Sequence, residues 1–384
     1  MTNKLLLYTS LIYILVVMTI GEYYFPVVQL NVQVIISLIF LLSLVLTILS
    51  SRKLPYINVN ILIYSIYWVA ILILTFSALL YSSLNFIKYI LYVLPIIFIP
   101  AYFYKNEIFL RKCLFIIKFA VVLNLLIVLL SFIQMVFHFD VYTKIRLLLS
   151  YFSNHESDFL INPSLRSQGI FYNSSSLAIL GIFSITFMVI FRCMSLWLFI
   201  ASVLLVVFSG SRVPLFCVVI FISLYKGLNF KKIILVMLFL LLAFVFIDYN
   251  YLVDFFSRIS RVYDDGLFND YSLMYRINIL WPNAISMTSD YYYGTLKNPV
   301  EIVGVIDSGY ITTYIQGRWF LVFSLLLSFS ILLAVSFYDF LKNKNLFFIL
   351  IPLYLVIGML ISNPIMNSLV VMSSYFYLFS RLNN

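Results

Sequence analysis

Apolar residues run in long continuous blocks along this chain, broken by short polar connections, and they do not alternate with polar residues as half-buried strands would. A helix that crosses a bilayer needs about 20 such residues, with tolerance for tilt and local thinning. By that measure the pattern predicts twelve spans, at 4–20, 32–50, 59–81, 84–104, 113–137, 170–191, 194–209, 212–225, 231–248, 317–338, 346–362 and 365–381. Two connections are long, roughly 138–169 and 249–316. Within the second, Leu252, Phe255, Phe256, Ile259 and Val262 recur at helical spacing, as do Leu273, Ile277, Leu280, Trp281 and Ala284. Two short amphipathic helices on the membrane surface are expected there, separated by the turn Asp264-Asp265-Gly266.

Composition agrees with this pattern. The chain is 64% hydrophobic over 384 residues, against roughly 45–50% in soluble domains, and so much apolar surface cannot be hidden in one interior. Lipid must solvate it, and in hydrocarbon the choice lies between helices and a closed barrel. Continuous rather than alternating runs decide for helices. The expected fold is an all-α polytopic membrane protein, a single transmembrane domain over 1–384. The first apolar run lacks a small-residue cleavage site, so it is expected to begin the bundle.

The net charge of +10 changes the picture only by setting orientation. Basic residues come in ones, twos and threes at the ends of apolar runs, which excludes a nucleic-acid surface and points to topology signals. With Lys4 inside, the inner connections collect Arg52 and Lys53; Lys105, Arg111 and Lys112; Arg192; Lys226, Lys231 and Lys232; Lys342 and Lys344; and Arg381. The short connections at 21–31, 82–83 and 363–364 contain no Lys or Arg. Short loops rich in these residues stay in the cytoplasm, so both termini are expected inside and both long loops outside. The runs 194–209 and 212–225 are short for spans. Ser209-Gly210-Ser211-Arg212 interrupts them, however, and Pro214 suits a first helical turn, so two helices meeting at a tight turn are expected.

That turn places Arg212 at or below the outer headgroups, where a guanidinium either snorkels to lipid phosphate or faces the bundle and finds an anion. The neighbouring glycine and serines free backbone amides for anion contact and favour the second reading. Arg166, in Leu165-Arg166-Ser167-Gln168-Gly169, is held just above the bilayer, as an ordinary loop arginine or one that reaches lipid phosphate. Arg258, Arg261 and Arg276 flank the apolar stripes of the second loop and suit bidentate phosphate contact. Asp307 lies close to where Arg318 enters the membrane; a local ion pair and a catalytic carboxylate fit equally. His138 and His155 have no metal-ligand or triad partner at recognisable spacing and read as solvated surface residues. Cys113, Cys193 and Cys217 are scattered through apolar segments without pairing or metal spacing.

Four short patches carry a resemblance. They are Arg166-Ser167-Gln168-Gly169 before an Asn-containing helix start, Ser209-Gly210-Ser211-Arg212, Arg276 with Trp281 and then Gly294, and Asp307-Ser308-Gly309-Tyr310 followed by Gly317. In order, in placement on one face and in the large late loop, the chain resembles the O-antigen polymerase and O-antigen ligase superfamily of bacterial surface polysaccharide assembly. The resemblance implies a metal-independent glycosyltransferase of the cytoplasmic membrane without cofactor. It would move a nascent glycan from undecaprenyl diphosphate to the acceptor sugar of a lipid-linked repeat at the outer face. It also implies Arg166, Arg212, Arg276 and Arg318 as contacts of the lipid diphosphate and Asp307 or Glu301 as the base. Membrane lipids surround such an enzyme, and a chain-length regulator and other polysaccharide assembly proteins are the further partners it allows. Family ligases carry a histidine in the last motif where this sequence has Asp307, a departure that favours polymerase over ligase.

Two other classes compete. A lipid-linked oligosaccharide flippase would spread its loops evenly and line a central cavity with charge. A secondary transporter would place ionisable groups at mid-membrane. Here Lys88 and Lys118 are the main charges inside apolar runs, and both sit near enough to an end to snorkel.

Overall fold

Backbone amides in an apolar run need internal partners once water is excluded, and the chain meets that need with helices. The computed structural model describes residues 2–20, 23–25, 30–51, 55, 57–77, 83–137, 139–152, 167–171, 173–224, 274–295, 303, 308–343, 350–361 and 367–382. Along these run α1 (Thr2–Thr19), α2 (Val32–Ser51), α3 (Val59–Tyr64), α4 (Ile66–Ser77), α5 (Ser83–Phe103), α6 (Glu107–Phe137) and α7 (Val141–Ser150). They continue with α8 (Ser174–Ile190), α9 (Leu196–Phe208), α10 (Arg212–Leu224), α11 (Trp281–Met287), α12 (Gly309–Asn343), α13 (Leu350–Ile361) and α14 (Ser368–Leu382). A two-residue ribbon, β1 (Tyr24–Phe25) against β2 (Leu30–Asn31), joins α1 to α2 with Tyr24 opposite Asn31.

Helices thus fall on eleven of the twelve predicted apolar runs, and the twelfth, 231–248, lies outside the described residues. Three of them, Val32–Ser51, Glu107–Met135 and Gly309–Lys342, are long and apolar enough to cross a membrane, and only 28%, 39% and 39% of their apolar windows is covered by protein. The remainder points outward. Leu38, Leu42, Val45 and Leu49 on α2, Phe115, Phe119, Val122 and Leu126 on α6, and Phe320, Phe323, Leu327 and Phe337 on α12 are all exposed. Stripes of that length exceed what a soluble monomer leaves open to water and mark a surface made for lipid.

The core lies around the last helix. Residues 368–379 of α14 are buried on every side, and so is nearly all of α8. An all-round buried helix needs no polar face. α14 packs on α5, α8, α13 and α3, while α12 packs on α3, α4 and α13. Hydroxyls join neighbouring helices where apolar packing gives no direction: Thr9 Oγ1 and Ser43 Oγ are 2.7 Å apart between α1 and α2. Ser65 Oγ and Tyr375 OH are 2.7 Å apart between the α3–α4 junction and α14. The sequence pattern shows one run at 59–81, whereas the chain has two helices there. Ser65 gives its hydroxyl to the Ile61 carbonyl at 2.8 Å while holding Tyr375, a tertiary contact that apolar counting does not register.

α12 also departs from its expected limits. It begins eight residues before 317, because the polar run Gly309–Gln316 is helical too, and it bends where Gly317 (φ −145°, ψ 22°) and Arg318 (φ 50°, ψ −151°) leave helical geometry. At about 1.5 Å per residue, the stretch after the bend, 319–343, reaches roughly 37 Å, against about 30 Å of hydrocarbon. A helix of that length projects beyond the apolar layer.

Candidate functional site

The sequence patches meet in two pairs. The first pair joins the segment Ser167–Phe171 to the α9–α10 turn. Ser167 donates its backbone N–H to the Phe208 carbonyl at 2.8 Å, directly before Ser209-Gly210-Ser211-Arg212. The turn between two short helices forms where expected, but its amides are not free for an anion: Ser209 N–H donates to the Leu205 carbonyl and Gly210 N–H to the Val207 carbonyl, each at 3.0 Å. Ser209 Oγ returns to the Val206 carbonyl at 2.6 Å, Ser211 N donates to Ser209 Oγ at 3.1 Å, and Gly210 takes φ 62°, which a side chain would strain. Arg212 opens α10, with Pro214 in its first turn. Beside it the Ser211 hydroxyl is buried and has no hydrogen-bond partner among the described residues. Arg166, one residue before this segment, lies outside the described residues, as does the side chain of Arg212.

The strap Ser167–Phe171 is itself held from three directions. Asn124 of α6 accepts Ile170 N–H through Oδ1 at 2.9 Å and turns its amide to the Ala120 carbonyl at 2.9 Å. Gly169 permits that approach: it has φ +59°, and a Cβ there would stand 2.4 Å from Asn124 Oδ1. From α7, Arg146 donates Nη1 to the Gly169 carbonyl at 2.9 Å and to the Phe171 carbonyl at 2.8 Å, and Nη2 to Gln168 Oε1. Tyr23 OH donates to the Ile170 carbonyl. Arg146 is wholly buried, as is Tyr142 one turn before it. Burial pushes the Tyr142 phenol up, and the Arg146 charge partly opposes this.

The second pair joins the turn after α11 to the bend in α12. Thr295 N donates to the Ile315 carbonyl at 2.9 Å, where the bend frees carbonyls from the helix ladder. Gly294, at φ +86°, lies so close that a Cβ would meet the Gln316 carbonyl oxygen at 2.4 Å and Gly317 N at 2.8 Å. Arg318 closes the contact: Nε donates to the Tyr291 carbonyl at 3.0 Å, Nη2 to the Thr288 carbonyl, and its guanidinium lies 5.2 Å from the Tyr314 ring centre. Its strained backbone is what this clamp maintains. The half-buried group keeps Nη1 uncommitted among the described residues.

Gly294→Ala therefore meets backbone rather than a flexible side chain. It is expected to cost about 2–4 kcal/mol from strain and overpacking. The checks are a lower unfolding temperature and faster proteolysis within 288–295; wild-type behaviour in both would show that the turn does not dock as described.

Arg276 opens a π-helical turn, Arg276–Leu280, that runs into α11. The predicted apolar stripe is only partly used: Ala284 is buried with Ile315, and Trp281, Val303, Ile311 and Tyr314 pack around them, whereas Ile277 is exposed. The wider turn inserts one residue per turn and rotates Ile277 off the packed face. Trp281 Nε1 is buried without a partner among the described residues. The companion helix expected at 252–262, the turn at 264–266, and Glu301, Asp307, His138 and His155 lie outside the described residues.

The two pairs are linked through α13. α10 packs on it, and at the start of α12 Ser308 Oγ reaches the Met359 carbonyl at 3.3 Å and Tyr310 OH the Val356 carbonyl at 3.2 Å. Among the described residues no group of three or more His, Cys, Asp and Glu side chains stands ready to hold a metal ion.

Sequence reasoning missed Arg146 and Asn124. Tyr142, Ile145, Arg146 and Leu149 do fall on one helical face, and Asn124 is a polar residue inside an apolar run; these two signals were open to reading. Fold and surface together define a membrane-embedded protein that is almost wholly helical among the described residues. No protein-family model matches this chain, and neither the curated proteins nor the solved structures compared with it give a match.

Proposed function

We propose that the protein is a polymerase of lipid-linked polysaccharide repeats in the cytoplasmic membrane, with twelve spans, both termini inside and its two long loops outside. The observation that carries this reading is the pairing of the four motif patches, strap with α9–α10 turn and α11 turn with α12 bend, around α13. The two contacts join motifs about 40 and about 20 residues apart in the chain, and both pairs flank α13, an arrangement that supports a shared site for a diphosphate. The Ser211 hydroxyl and Trp281 N–H, buried without a partner among the described residues, add neutral donors to the guanidinium groups.

In the reaction, a hydroxyl oxygen of the acceptor sugar attacks the anomeric carbon of the donor glycan. The bond from that carbon to the lipid diphosphate breaks, and the diphosphate leaves with the electron pair. The hydroxyl proton passes to a carboxylate, Asp307 or else Glu301. Negative charge grows on the leaving diphosphate, so fixed guanidinium groups of Arg166, Arg212, Arg276 and Arg318 bind the transition state more tightly than the substrate. Arg318 acts through its Nη1 group while its other nitrogens hold the turn.

Deletion followed by gel analysis of surface polysaccharide tests the proposal. Loss of the ladder with a single repeat retained is expected; loss of all attached repeats would instead indicate a ligase or a flippase. A tag near Gly266 should be reached only from outside the cell, and labelling solely from the cytosol would remove the site geometry.

A further inference from the structure

From the contacts of Arg146 we infer that it is a positioning residue: with Asn124 it holds the strap Ser167–Phe171 against the end of α9, and so fixes the α9–α10 turn that opens on Arg212 in the proposed diphosphate site. The inference rests on the polymerase reading. A guanidinium with no exposed surface that donates to two backbone carbonyls and a side-chain carbonyl fixes the backbone more stiffly than any apolar packing could, because each of those oxygens would otherwise be buried without water. From the opposite side Asn124 holds the intervening N–H of Ile170. The strap is thus gripped on both edges, and its first backbone N–H is tied to Phe208, the last residue of α9 before the arginine-bearing turn.

α7 gives Arg146 a lever on the membrane surface. Its buried side carries Tyr142 and Arg146, whereas Val141, Leu147 and Leu148 are exposed beside Phe137, Phe139 and Tyr151. A helix whose open face is apolar but for the exposed Lys144, and which is anchored by a buried cation on the other, suits the interfacial layer, where the strap is referenced to the height at which lipid phosphates sit.

The test uses the full chain in lipid nanodiscs with farnesyl diphosphate as probe and farnesol as its uncharged control. Wild-type protein is expected to bind the diphosphate more tightly than the alcohol. Arg146→Lys keeps the charge but loses the planar fork, and should weaken diphosphate binding roughly tenfold or more while leaving farnesol binding unchanged. Asn124→Ala should act alike, and the double variant should be no worse than the weaker single, because both act on one strap. A second readout needs no ligand. In a background with Cys113, Cys193 and Cys217 replaced by alanine, Ser167→Cys, buried in the wild type, should resist an impermeant maleimide. It should react at least about tenfold faster when Arg146→Lys is added.

If Arg146→Lys does not insert, Gln168→Leu, which removes the side-chain bond from Arg146 to the strap, serves in its place. A wild type that discriminates and an Arg146→Lys variant that discriminates equally well would overturn the positioning role alone. A wild type that binds diphosphate and alcohol alike would overturn the diphosphate site, and the positioning role with it.

Discussion

Arg212→Ala and Arg276→Ala are each expected to stop chain growth, with a loss of about 10²- to 10³-fold in rate, while the protein still inserts in the membrane. The expectation follows from where charge develops. A diphosphate that departs from an anomeric carbon gains negative charge late in bond breaking, and a guanidinium already in place stabilises it without reorganisation. Arg212 stands at a helix start beside the buried Ser211 hydroxyl, and Arg276 opens the turn that leads into α11. Arginine-to-lysine changes at the two positions should retain part of the activity, since charge remains and the two-pronged geometry is lost. Arg318→Ala differs in kind: it releases the Thr288 and Tyr291 carbonyls and detaches the turn, so it should lower stability as well as rate. Polysaccharide ladders and membrane-fraction blots of the same cells separate these outcomes. Unchanged chain length in both Arg212→Ala and Arg276→Ala would remove the diphosphate clamp.

Asp339→Ala should be the most destabilising single change among the described contacts. Near the far end of α12, Asp339 Oδ2 lies 2.9 Å from Arg381 Nε of α14 and accepts Tyr377 OH at 3.2 Å. The carboxylate is 9% exposed and the arginine 23%. Removing the carboxylate that faces a buried guanidinium costs about 3–5 kcal/mol, and the partial exposure of Arg381 argues for the lower end. Asp339→Leu combined with Arg381→Met should recover most of the loss, because an apolar pair carries no desolvation cost. Thermal unfolding in detergent reads both variants. A melting temperature for Asp339→Ala equal to wild type would mean that the pair contributes nothing to joining α12 and α14.

Much of this fold is legible in the chain. Block length places helices on the apolar runs, and Ser209-Gly210-Ser211 with Pro214 marks a turn between two short helices, because glycine at positive φ and proline in a first turn act through local sterics alone. Other features escape that reading. Arg146 looks like one loop arginine among several until the strap folds over it, and Asp339 and Arg381 lie 42 residues apart in separate helices. The bend at Gly317 and Arg318 is equally silent, since nothing in Gln316-Gly317-Arg318 says that the 288–295 turn will dock against its freed carbonyls.

By itself, then, the order of residues determined that the chain would be helical and that lipid would cover its outer stripes. These are consequences of transfer free energy and backbone satisfaction, which depend on near neighbours and on composition. Only the tertiary structure decided which polar groups would be buried together: Asn124 and Arg146 on the strap, Arg318 on the turn, Asp339 on Arg381. Such pairings bring distant segments within 3 Å or so, and their energy exists only once the helices have packed.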